Sequence, residues 1–242
     1  MKKLFAILFI AILLAGAANA ADTVLGVNFS SAWGGPHVGM GAHPTQTADG
    51  FSNWTDSDPI SWGDGTTNGT GLVLLGSDSG VTVDWASSNV WYAGLEDTSE
   101  NALYRCYLDD GGSGPLITIH GLSSWLTSIG ATGYTVRLYQ NTDWNNCSFL
   151  TTNFTDGTNI LGSVTPTNMW AADSGGTRAF VDSGVLTAGT LVIDGASGPD
   201  WGQNKRGCIA AVKITAVPEP ATWVLGLMAA AGLFVIRRRF GK

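Results

Sequence analysis

The sequence predicts an all-β fold: an antiparallel β-sandwich, jelly-roll-like, with one short helix. Short apolar or alternating runs recur between clusters of Gly, Asp, Asn, Ser and Thr. That is the rhythm of brief strands joined by turns. A single stretch is read as helical, and no fixed short repeat of the kind a β-helix needs is present. Nine short strands and a minor helix pack best as two sheets face to face.

In chain order, Val24–Phe29 and Leu72–Leu75 are near-continuous apolar runs. Val81–Trp85 and Leu116–His120 mix apolar with polar residues at close to strand period. Glu100–Leu108 predicts the helix. Asp97, Thr98 or Ser99 caps it, Leu103 meets Tyr107 at i, i+4, and Gly111-Gly112 ends it. Tyr134–Tyr139 alternates fully: Tyr134, Val136 and Leu138 share one face, and Thr135, Arg137 and Tyr139 the other. Phe149–Thr152, Arg178–Val181, Thr190–Ile193 and Cys208–Ile214 complete the strands. Trp85, Trp91 and Trp125 read as core. Trp33 to Gly71 has few aliphatics and reads as a long loop. Asp109 to Pro115 reads as a loop inside one domain.

Both ends are set apart from this body. Lys2 and Lys3 precede the apolar run Leu4–Leu14, and Ala18-Asn19-Ala20 supplies small residues for cleavage. Residues 1–20 therefore read as a secretory signal peptide, and 21–217 as the sandwich. At the other end, Pro218-Glu219-Pro220 follows Val217 and precedes the uncharged run Ala221–Ile236 and then Arg237-Arg238-Arg239. A helix of that run is about 24 Å long at about 1.5 Å per residue. It can cross a bilayer core of about 30 Å with some thinning or snorkelling. The arginines favour the cytoplasmic side.

Taken together, Pro-Glu-Pro, span and arginine cluster in residues 218–242 resemble the PEP-CTERM sorting signal of Gram-negative envelope proteins. The resemblance implies that an exosortase, an inner-membrane transpeptidase-like enzyme, cuts near Pro218–Pro220. It implies an inner-membrane-tethered precursor and a product in the envelope or extracellular matrix, in the company of exopolysaccharide and biofilm. A second resemblance is to galactose-binding-like carbohydrate modules. It lies in Leu103-x-x-x-Tyr107-Leu108-Asp109-Asp110, Ile117-x-Ile119-x-Gly121-Leu122, Tyr134-x-Val136-x-Leu138-Tyr139 and Ile209–Ile214.

Charge narrows the partners. The whole chain has a net charge of −7, but six of its twelve basic residues lie in the terminal segments. The body holds six basic against eighteen acidic residues, a net −12. Such a body repels nucleic acid and anionic lipid and suits calcium or neutral glycans. Cys106, Cys147 and Cys208 are spaced for no zinc pattern. In an oxidising compartment they allow one bridge with three pairings, or three buried thiols.

Nine of the ten tryptophans lie in the body, and several sit among polar turn residues. Trp54, Trp62, Trp144 with Asn145, and Trp201 with Gln203 are candidate glycan contacts. An indole stacks on a pyranose face while nearby amides bond its hydroxyls. The other reading is that these rings close the sandwich ends. Asp56, Asp58 and Asp64 are the candidate calcium ligands, and Asp109-Asp110 form a second acidic cluster. His37 and His43 lack a third ligand, and no nucleophile motif is complete. The expectation is a non-enzymatic protein. The alternatives are a carbohydrate-binding module with a defined ligand and a glycan hydrolase. Asn28, Asn53, Asn68, Asn146 and Asn153 each begin an Asn-x-Ser/Thr triplet.

Overall fold

A computed structural model describes residues 24–29, 54–56, 67–74, 80–92, 104, 106–109, 114–171, 176–195 and 205–218. The signal peptide, most of 33–71 and the tail beyond Pro218 lie outside these residues; within the stretch expected as one long loop, 54–56 and 67–71 are strand. The described residues hold no helix long and apolar enough to cross a membrane. The expected span Ala221–Ile236 falls outside them.

Two six-stranded sheets make the fold. The first runs β12 (Met169–Ala171), β13 (Thr177–Asp182), β8 (Ala131–Thr142), β16 (Ala211–Pro218), β1 (Val24–Asn28) and β2 (Trp54–Asp56). The second runs β11 (Ile160–Val164), β10 (Thr152–Thr155), β14 (Leu191–Asp194), β7 (Leu116–His120), β4 (Thr82–Ser87) and β3 (Thr67–Val73). All neighbours pair antiparallel except β1 with β2, which is parallel.

The core lies between the sheets because each strand turns alternate residues inward. Leu25, Val27, Val136, Leu138, Val212 and Ile214 of the first sheet meet Val83, Trp85, Ile117, Ile119, Leu191 and Ile193 of the second. Tyr134, Val136 and Leu138 are fully buried on one face, as the alternation predicts.

The helix stands elsewhere than expected. Cys106–Asp109 is a strand, β6, paired antiparallel with β5 (Asn89–Tyr92) and bridged from Leu108 to Ile209. Tyr107 and Leu108 are both fully buried, in different clusters. A strand covered on both faces shows no alternation, so the Leu103–Tyr107 spacing misleads. The helix, α1, is Leu122–Ile129. Leu122, Trp125 and Leu126 are buried, and Ile129 packs against the same core. It carries the chain from one sheet to the other between β7 and β8. Gly121 opens it at φ 81, where a Cβ would lie 2.6 Å from the Gly80 carbonyl oxygen.

A second layer covers one end of the first sheet's outer face. Tyr104, Tyr107, Tyr139, Cys208, Ala210 and Ala211 form it, with Val24 and Trp91 against them. A short parallel pair, β9 (Ser148–Phe149) with β15 (Lys205–Arg206), lies alongside in sequence. Cys106, Cys147 and Cys208 are all buried, and no disulfide joins them to one another.

Candidate functional site

Among the described residues, the other end of the first sheet's outer face gathers the polar chemistry. Alternation turns Thr135 and Arg137 of β8, Phe180 and Asp182 of β13, and Lys213 and Thr215 of β16 outward. Register sets them side by side: Asp182 opposite Arg137, Arg137 opposite Lys213, and Thr135 opposite Thr215. The next partner of Lys213 is Gly26, and that of Gly26 is Trp54.

Arg137 and Asp182 form a two-pronged pair. The Arg137 Nε donates to Asp182 Oδ1 at 2.7 Å, and Nη2 donates to Oδ2 at 2.8 Å. The hydrogen bond to Asp182 pushes the guanidinium pKa up, so Arg137 stays charged. Its plane lies 4.6 Å from the Phe180 ring centroid. Phe180 meets Trp170 edge to face at 6.0 Å, Trp170 meets Tyr104 at 5.7 Å, and Tyr104 meets Tyr139 at 5.8 Å. An aromatic ladder thus climbs from the covered end of the face to Trp170 and Phe180, which remain 37% and 36% exposed. A cavity of about 290 Å³ opens beside it, lined by Thr135, Arg137, Asp182, Ser183, Lys213 and Thr215.

Trp144 lies in a different place. It is half-buried, with the Arg206 guanidinium 4.7 Å from its ring centroid. Arg206 in turn pairs with Asp109, and Cys208 Sγ lies 3.2 Å from the same carboxylate. Asp109 is therefore held by an arginine. The Tyr107 hydroxyl donates to Asp143 at 2.9 Å, and burial pushes its pKa up. Asn145 is exposed, and its Oδ1 accepts the Gly176 N–H at 2.7 Å. Thr177 Oγ1 donates to the Trp144 carbonyl at 2.9 Å.

The remaining expectations fall as follows. Trp54 and Asp56 lie in the edge strand β2. Trp62, Trp201, Gln203, Asp58 and Asp64 lie outside the described residues. Among the described residues no three acids, histidines or cysteines gather to hold a metal. His120 Nε2 instead lies 3.1 Å from Asp84, between β7 and β4. Trp85 and Trp125 are core, and Trp91 packs on the second layer. The sequence reading passed over Trp170 and Phe180. The alternation Arg178, Phe180, Asp182 was the signal for the outward face of β13.

Val217 and Pro218 close β16, which lies between β8 and β1 in the middle of its sheet. Glu219, Pro220 and Arg237–Arg239 lie outside the described residues. Residues 216–239 match the family described as the PEP-CTERM protein-sorting motif. The motif supports an exported protein that an exosortase processes. No curated protein matches the chain. One chain of a crystal structure of the plant peptide RALF23 in complex with FER and LLG2 is similar, at 12% identity and a TM-score of 0.37. The likeness covers 81% of this chain, which spans 40% of the length of that one.

Proposed function

We propose that this chain is a non-enzymatic component of the cell envelope or extracellular matrix, associated with exopolysaccharide. It is made as an inner-membrane-tethered precursor, held by the span 221–236, and released when an exosortase cuts near Pro218–Pro220. The observation that carries this reading is the sorting motif at 216–239, which begins within β16, the last described strand. Val212, Ile214 and Ala216 of β16 are core residues. A cut beyond Pro218 leaves them in place, whereas a cut earlier in the strand opens the sheet between β8 and β1. The strand order supports a jelly roll for the body. β1, β16, β8 and β13 lie in one sheet, β7, β14, β10 and β11 in the other, and the chain alternates between them.

The test is the intact mass of the protein recovered from cells with and without a functional exosortase. The expected product ends near residues 218–220 only when the enzyme is present. Mature protein that still carries Arg237–Arg239 in exosortase-positive cells overturns the reading.

A further inference from the structure

We propose that the cavity on the outer face of the first sheet binds a neutral saccharide that presents adjacent hydroxyls. Three observations carry this. Arg137 and Asp182 hold a planar donor and a carboxylate acceptor at fixed spacing, 2.7 and 2.8 Å apart through both prongs. Neighbouring sugar hydroxyls each donate and accept, so a donor–acceptor pair of this kind matches a vicinal diol. Thr135, Thr215 and Ser183 add hydroxyls around the same cavity of about 290 Å³. Next to Arg137 on the same sheet face stands Phe180, and beyond it Trp170; both are exposed aromatic surfaces, and a pyranose ring presents an apolar face to such rings.

The site is also prepared before any ligand arrives. Arg137 is clamped by Asp182 on one side and lies on Phe180, so little side-chain freedom is lost on binding. The body's net charge of −12 disfavours an acidic polysaccharide as the occupant. This inference rests on the exopolysaccharide side of the reading above and is independent of the processing step.

Affinity electrophoresis of the full chain in mild detergent tests it. The gels contain galactomannan, dextran or hydroxyethylcellulose as neutral probes, and alginate as the acidic one. Retardation in at least one neutral gel is expected. Asp182→Asn and Trp170→Ala should each weaken it by about tenfold or more. Thr215→Ala, which leaves the ion pair intact, should weaken it less, and Ile160→Ala on the other sheet should leave it unchanged. Circular dichroism confirms that each variant is folded. No retardation by any neutral probe, retardation by alginate alone, or full retardation of folded Asp182→Asn and Trp170→Ala overturns the proposal. Binding by protein that is recovered from exosortase-positive cells with its tail still attached sinks the processing reading alone. A correctly cleaved protein that passes every gel unretarded sinks this one alone.

Discussion

Removing the Asp109 carboxylate tests whether the second layer is anchored by charge. Arg206 and Asp109 are distant in the chain, and their side chains are 4% and 11% exposed. The pair ties β15 to the end of β6, and the same guanidinium packs on Trp144. Taking the carboxylate away leaves a cation in a site from which water is excluded. Asp109→Ala should therefore cost about 3–5 kcal/mol. The protein carries its own control. Arg137 and Asp182 pair with good geometry but with side chains 31% and 50% exposed. Asp182→Ala should cost only about 0.2–1 kcal/mol, because water screens that pair. Replacing both buried partners, Asp109→Leu with Arg206→Met, should recover most of the loss, since the desolvation of two charges disappears with them. Urea unfolding followed by tryptophan fluorescence reads all four proteins. Asp109→Ala no more destabilising than Asp182→Ala, or a double variant worse than the single one, refutes the reasoning.

Other outcomes follow from the same packing. Trp125 is fully buried on α1, so Trp125→Ala should lower unfolding stability by about 3–5 kcal/mol in the same urea assay. Gln140 is fully buried with neither amide atom hydrogen-bonded, so Gln140→Met should raise stability by about 1–3 kcal/mol; a loss would mean that its amide has a partner in solution. Asp84 accepts the Gly71 N–H at 2.6 Å, and this bond, then His120, holds its pKa below the ordinary 3.8. Its folded pKa is the lower one, so the stabilisation is fully present above pH 3.8 and is lost as pH falls from there through the lower folded pKa. Asp84→Asn should lower the melting temperature slightly at neutral pH and leave it little changed at the acid end, so that the acid side of the thermal-stability profile flattens. Cys106, Cys147 and Cys208 should all react with a thiol reagent in denaturant, and dithiothreitol should not shift the melting temperature; fewer than three reactive thiols would reveal a bridge.

Much of the sandwich was legible before any coordinates. Leu116–His120 is a strand at the bounds the sequence suggests, and Tyr134–Tyr139 lies inside β8 with the expected inward face. Beyond Leu138 the alternation stops because Tyr139 is covered by the second layer, which nothing local announces. The sequence reading sets the helix wrongly, at Glu100–Leu108, although Leu122, Trp125, Leu126 and Ile129 fall at i, i+3, i+4 and i+7. Its neighbour Cys106–Asp109 had no legible period, since its two faces serve two clusters.

By itself the sequence determined the strand rhythm and the sorting tail, because both are written in residues adjacent along the chain. Only tertiary structure decided that Asp109 answers to Arg206, that Arg137 meets Asp182 and that Phe180 and Trp170 share its face. Those partners lie from ten to nearly a hundred residues apart, and strand pairing and layer coverage, not local propensity, bring them together.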